Sequence, residues 1–345
     1  MLEIGGRTSR GDAERRTRDV GRGTSDVGRI AICVIAVTLI LSSMTNSLSA
    51  QDCSEERIYV AMLSTRKHRL SGKNPMVGVF YTTDFGQSWS HTGWRQGKAF
   101  AVYQPENSCG DTLWVAAGNG VHRTTDGGKT WRITTGWEVT EVQDVWSDPD
   151  YPSELWAATP YGVWRSSDFG ESWDKLRSGF ASSVRGGMVG TEKGLWGTQD
   201  RPITKPVRSL RQSPHDEQTW LVALQNGGVR VSTDGAETFS PGSPADQTIY
   251  EAEFHPSDPN VIYAGGWGTG LLVSRDLGKT WEKVESLDVP NIHGIAISRS
   301  DPSVIIVGSM DNGVFVSTDA GDTWVASAPE IFDQGQIWDV HVRGE

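Results

Sequence analysis

The sequence predicts an all-β fold: a single seven-bladed β-propeller whose ring is closed by the C-terminal strand joining the first blade. Three observations carry that prediction. The first is a phrase, Ser/Thr-x-Asp-x-Gly-x-Ser/Thr-Trp, found as TTDFGQSW (Thr82–Trp89), TTDGGKTW (Thr124–Trp131), SSDFGESW (Ser166–Trp173), SRDLGKTW (Ser274–Trp281) and STDAGDTW (Ser317–Trp324), with a worn copy, STDGAETF, at Ser232–Phe239. The second is its period. Asp84, Asp126, Asp168, Asp234, Asp276 and Asp319 are spaced by 42, 42, 66, 42 and 43 residues, and four-stranded propeller blades run to ~40–45 residues. GLWGTQD at Gly194–Asp200 aligns with GVWRSSD at Gly162–Asp168, so Asp200 splits the long gap and brings the count to seven. The third lies at the two ends. Arg57–Leu63 reads as the second strand of a unit, and Gln336–Val342 reads as the inner strand that this unit lacks. Pairing the two leaves no open sheet edge.

The elements can be taken in order. Residues 1–50 read as a secretory signal peptide: seven arginines in a long basic region, the apolar run Ile30–Leu41, and a small-residue stretch ending at Ala50. Residues 51–345 form the propeller. The expected location is secreted or periplasmic, with an uncleaved N-terminal anchor as the alternative. In an oxidising compartment Cys53 and Cys109, each just ahead of a comparable strand in neighbouring repeats, are candidates for a disulfide. Within each unit an outer strand follows the box. An inner strand comes next (QDVWSDP, AEFHPSDP, IAISRSDP), then a second strand (ELWAATP, NVIYAGG, SVIIVGS) and a third that enters the next box. The box is turn chemistry: Asp and Ser/Thr side chains bond backbone groups, Gly accepts positive φ, and the aromatic residue packs back on the sheet.

The repeated phrase resembles the Asp-box repeat of bacterial neuraminidases (BNR repeat). With a leader and one propeller, the chain is similar to sortilin-like and photosystem II stability/assembly factor-like propellers, and more distantly to sialidases and xyloglucanases. The resemblance covers roughly residues 57–345. It implies that the box aspartates, including Asp200, are structural staples on the face opposite any site.

A site is therefore expected where the other loops gather around the axis. The binding residues selected there are Trp94, Trp137, Tyr161, Arg208, Trp267, His293 and Trp338, with the tryptophans as stacking platforms. Trp114, Trp156 and Trp220 hold equivalent places before small apolar residues and are assigned to packing. No catalytic residue, cofactor or metal site is selected. The chain lacks the Phe/Tyr-Arg-Ile-Pro signature of sialidases, and Glu141, Glu251 and Asp339 are acids without distinguishing context. The formal charge of −11 argues against nucleic acid and against an anionic membrane surface. The expected function is that of an exported, monomeric, non-catalytic binding or assembly platform. It would recognise a protein or glycan through one face, with no membrane insertion after signal cleavage. The alternative is a carbohydrate-active hydrolase of the sialidase type. The basic insertion Thr65–Pro75 is a further candidate contact for an acidic partner.

Overall fold

The computed structural model describes residues 56–342 apart from 65–76, 96, 106, 107, 109, 148–150, 160, 161, 176–188, 192, 193, 197–206, 236, 237 and 334. The chain divides into two compact units, residues 1–52 and 53–345. The predicted signal peptide, Cys53, Cys109, Tyr161, Asp200 and the basic insertion all lie outside the described residues.

The second unit is a β-propeller of antiparallel sheets with almost no helix. Its first blade holds Ile58–Ser64 (β1), Gly78–Thr82 (β2) and Ser90–Thr92 (β3). The second is Ala99–Tyr103 (β4), Leu113–Ala117 (β5), Gly120–Thr124 (β6) and Arg132–Ile133 (β7). The third is Asp144–Ser147 (β8), Leu155–Thr159 (β9), Gly162–Ser166 (β10) and Asp174–Lys175 (β11). Val189–Thr191 (β12) and Gly194–Trp196 (β13) then pair as a two-stranded ladder. The fourth blade has three strands, Val207–Gln212 (β14), Trp220–Leu224 (β15) and Gly228–Ser232 (β16). Ile249–Phe254 (β17), Ile262–Gly266 (β18), Leu271–Ser274 (β19) and Glu282–Lys283 (β20) make the fifth. The sixth is Ile292–Ile297 (β21), Ile305–Ser309 (β22), Gly313–Ser317 (β23) and Val325–Ser327 (β24). After the single-turn helix Pro329–Phe332 (α1), Gly335–Val342 (β25) joins the first sheet, in the order β25-β1-β2-β3.

Two expectations meet different outcomes. The C-terminal strand does complete the first blade, pairing Ile58 with Val342 and Ser64 with Gly335. The blade count is corrected: six blades, not seven, stand among the described residues. The repeat ending at Asp200 contributes only the β12–β13 ladder, set between β9 and β14. Its sequence DRPITKPV has lost both the turn glycine and the terminal aromatic residue that the other boxes carry. The worn box at Asp234 has Ala236 at the usual glycine position and ends in Phe239 in place of tryptophan, and its blade has one bridge, Val229 to Ser243, where the others have an outer strand.

The core lies between blades. Ile58, Val60 and Phe80 of the first blade pack with Ile306, Val314 and Val316 of the sixth. Tyr103, Trp114 and Val121 of the second pack with Val145, Leu155 and Trp164 of the third. Each second strand is thus covered on both faces, and β5, β9, β15, β18 and β22 are buried at every residue. That is why these strands read as continuous apolar runs rather than alternating ones. The outer strands β7, β11 and β20 are exposed throughout.

The boxes at Asp84, Asp126, Asp168, Asp276 and Asp319 make one hydrogen-bond pattern. In the Asp168 box, Ser166 Oγ donates to Asp168 Oδ1 (2.8 Å) and accepts from Gly170 N (2.8 Å). Ser172 donates its amide to Asp168 Oδ1 (2.9 Å) and its hydroxyl to Oδ2 (2.6 Å). Phe169 and Gly170 both have positive φ, 57° and 76°, so the turn needs glycine at its second central position. The boxes also join blades. A Cβ on Gly86 would sit 2.8 Å from Val316 Cγ2, and Trp89 Nε1 donates to Ser327 Oγ at 2.8 Å, both in the sixth blade.

The hydroxyl hydrogen bond from the closing Ser or Thr, then its amide, hold Asp126, Asp168 and Asp276 at about 2, below the ordinary aspartate value of about 4. Their stabilisation is present above about pH 4 and is lost as pH falls through about 2. Circular dichroism across that window should therefore show a shallower acid limb for Asp168→Asn than for the parent chain. The buried hydroxyl of Ser317 serves Asp319 and Gly321 in the same way, and Ser317→Ala is expected to cost about 1–3 kcal/mol in urea unfolding. Deleting residues 336–345 removes the pairing that closes the first blade, and loss of the cooperative unfolding transition is expected. A truncated chain that still unfolds cooperatively would contradict the closure.

Candidate functional site

Five inner strands break register by one residue at the same level. The shifts fall between Ala99 and Ala101, Val207 and Ser209, Ile249 and Glu251, and Ile292 and Gly294, and on β25 opposite Ala61 and Met62. A β-bulge re-aims the extra side chain. Here the extra residues are Phe100, Arg208, Tyr250, His293 and Trp338, and all five line one cavity of about 310 Å³. They touch in sequence around it. The Arg208 guanidinium lies 5.9 Å from the Tyr250 ring, Tyr250 is 3.8 Å from His293, His293 is 5.3 Å from Trp338, and Trp338 is 5.3 Å from Phe100. Arg208 is also bonded to Gln225. Together they form an aromatic collar.

The residues next along these strands are small or acidic: Ala101, Ser209, Glu251, Gly294 and Asp339, with Asp144 at the same place on β8. Gly294 is required, because a Cβ there would lie 2.5 Å from Val340 N. Asp339 Oδ2 accepts from Val102 N at 2.9 Å, tying β25 to β4. Arg211 reaches Glu251 at 3.1 Å and Glu253 at 2.9 Å. Burial pushes Glu251 up to about 8, against the pull of Arg211 and with the push of Asp339. Asp339 is raised to about 6, again by burial, despite the Val102 amide and Arg211. Asp144 opens onto the cavity while protein surrounds it, and it too is raised by desolvation. At neutral pH this belt therefore retains at least one proton. His293 is held neutral at about 4 by burial first and by Arg208 second. Two buried polar atoms on the wall, His293 Nε2 and Trp338 Nε1, have no hydrogen-bond partner.

Of the residues selected from the sequence, Arg208, His293 and Trp338 meet at this cavity. Trp94, Trp137 and Trp267 do not line it; they are 44, 90 and 54% exposed. Trp94 stands 4.5 Å from the His122 ring. Among the acids, Glu251 and Asp339 line the cavity, whereas Glu141 pairs with Lys98 on the surface at 3.5 Å. Trp114, Trp156 and Trp220 are buried, and the last two also reach the cavity wall. Phe100 and Asp144 were not singled out from the sequence. A usable signal existed, because each collar residue precedes a small or acidic residue at the start of an inner strand. The collar lies at the strand ends remote from the boxes: Ile249 pairs with Gly266, next to Trp267, while Ile262 pairs with Ser274, which opens the Asp276 box. No group of His, Cys, Asp and Glu among the described residues has a metal-binding arrangement, and no helix among them is long and apolar enough to cross a membrane.

Arg211 is the cation that Glu251 and Glu253 share, so Arg211→Met leaves buried carboxylates without it. A stability loss of about 3 kcal/mol is expected near pH 8, shrinking toward about pH 5, where Glu251, pushed up to about 8, is already protonated. Urea titrations at the two pH values measure the difference.

The BNR/Asp-box repeat model matches residues 80–91, the first box and its flanks. No curated protein matches the sequence at a significant level. Among solved structures, the extracellular domain of a protein described as a one component system from B. thetaiotaomicron is similar, with a TM-score of 0.53 and 13% identity over 72% of this chain and 36% of that one. An ancestral GH74 enzyme has a TM-score of 0.43 and 19% identity, over 66% of this chain and 30% of its own. YCF48 bound to D1 peptide has a TM-score of 0.41 and 16% identity, over 75% of this chain and 78% of its own. The chain thus spans about a third of the first two structures. The matched box recurs with the same hydrogen bonds at Asp126, Asp168, Asp276 and Asp319, and the chain is a β-propeller of the BNR/Asp-box type.

Proposed function

We propose that the chain is an exported binding module that takes a protein or glycan ligand at the collar end of the propeller. One observation carries this reading: three aromatic side chains, a histidine and an arginine, contributed by five different strands, are turned by bulges onto a single cavity. Sheet packing does not require that arrangement. A cavity of about 310 Å³ with an apolar wall and a few convergent polar groups is of ligand-binding size. Trp137 and Trp267 stand exposed in the loops at the same end and would extend the contact beyond the cavity mouth. The boxes occupy the other end and are fully used in holding turns.

A second reading is favoured by Glu251. A carboxyl held protonated at neutral pH, near the more acidic Asp339, has the features of a general acid beside a base. The chain would then be a glycan hydrolase whose activity falls as pH rises through about 8.

One experiment addresses both. The mature chain is screened against glycan and peptide arrays, and every bound glycan is assayed for cleavage. At least one ligand class is expected to bind saturably, with affinity lowered about tenfold or more in Trp338→Ala. Failure to bind across both arrays overturns the binding reading. Cleavage that is lost in Glu251→Gln replaces it with the hydrolase.

A further inference from the structure

Resting on the axial cavity as a ligand site, we infer that its ligand is an organic cation: an alkylammonium group that enters past the collar and is received by Asp144, Glu251 and Asp339.

The first observation is the balance of charge. Among the described residues lining the cavity, three carboxylates (Asp144, Glu251, Asp339) stand against two guanidiniums (Arg208, Arg211). Arg211 is shared between Glu251 and a further acid, Glu253. Arg208 is placed at the collar, over Tyr250 and bonded to Gln225. The excess is negative, and the belt relieves it by holding a proton. A buried site that keeps a proton for lack of a cation will exchange it for one, provided the cation reaches hydrogen-bond distance.

The second observation is independent of the acids. Phe100, Tyr250 and Trp338 also line the cavity, and an aromatic face attracts a desolvated ammonium by cation–π contact. His293 is 96% buried (4% exposed); it lines this cavity, and its Nε2 has no partner. Burial keeps the ring neutral, so one of its nitrogens is an acceptor. That is the form that takes a hydrogen bond from an ammonium. An anionic ligand would meet the carboxylates, and a neutral one would leave the retained proton in place.

The ammonium could come from a lysine side chain of a protein partner or from a free aliphatic amine. Both present the same group to the belt. The charged and titratable groups around Glu251 are Arg208 and Arg211 on β14, Asp144 on β8, and Glu253 on its own strand. Among the described residues, Asp339 and His341 on β25, His293 on β21, Tyr103 on β4 and Tyr250 on β17 also line the cavity. Because Glu251 must lose its proton to receive the cation, binding should tighten as pH rises through about 8.

The test follows the Trp338 indole N–H resonance, assigned by its loss in Trp338→Phe, in the mature chain. The probes are 1,5-diaminopentane, the peptide acetyl-Gly-Lys-Gly-amide, the same peptide with acetylated lysine, and pentan-1-ol. Both ammonium probes are expected to bind at least about tenfold more tightly than pentan-1-ol or the acetylated peptide. They should also gain about tenfold or more between about pH 6 and pH 9. A peptide that outcompetes the diamine identifies a protein lysine as the source, and the reverse identifies a free amine. Glu251→Gln and Asp339→Asn are each expected to weaken binding about tenfold, and Asp144→Asn, facing open cavity, serves where those variants fail to fold. Equal binding of pentan-1-ol or the acetylated peptide overturns the cation while leaving a ligand site. So does binding that is indifferent to pH and to all three variants. No shift with any of the four probes overturns the cation by itself, and array binding sensitive to Trp338→Ala then shows whether the site survives.

Discussion

Each sheet of this propeller has two apolar faces and no way to cover either alone. Ile306, Val314 and Val316 of the sixth blade are buried only because Ile58, Val60 and Phe80 of the first lie against them. The other clusters repeat that relation from blade to blade. Hydrophobic burial scales with area removed from water, so the arrangement is stable when every face finds a neighbour. The pairing of β25 with β1 meets that condition for the first blade, joining residues from the two ends of the propeller sequence.

The Asp boxes serve the same constraint at short range. Their hydroxyl and carboxylate groups satisfy the amides of a turn whose two central residues have positive φ. In doing so they set Trp89, Trp131, Trp173 and Trp281 into the clusters that join neighbouring blades. The turn glycine has two roles, since a Cβ on Gly86 would sit 2.8 Å from Val316 and one on Gly170 would press on the Trp114 ring at 3.0 Å. Where the box is worn, at Asp234, the blade keeps its inner strands and loses a regular outer one.

Closing a ring of inner strands brings their first residues together, and the bulges convert that into a site. One extra residue per strand turns Phe100, Tyr250, His293 and Trp338 toward the cavity, and places the small or acidic residue that follows beneath them. Acids crowded there are desolvated, which pushes Glu251 up to about 8 and Asp339 to about 6. Scaffold and site are therefore chemically separate, with carboxylates fully ionised in the boxes and partly neutral at the axis.

The architecture was legible because its signals are local and repeated. A turn needing Asp, Gly and Ser/Thr at set offsets announces itself five times, with a worn sixth copy at Asp234, and a period of 42 residues names the unit. The count of seven went wrong at Asp200, where an aligned phrase lacks the glycine and tryptophan that make the turn. The site was legible only in part. Arg208, His293 and Trp338 stand out as polar or aromatic residues of the loops expected to gather at the axis, and exposed Trp94, Trp137 and Trp267 share that description. Nothing local distinguishes the two groups. What distinguishes them is register: a bulge exists only relative to the partner strand, and Asp339 meets Val102 across 237 residues of sequence. Sequence alone determined the hairpins, because their hydrogen bonds close within eight residues. Tertiary structure alone decided which side chains share the axis, because that depends on how the sheets pack around it.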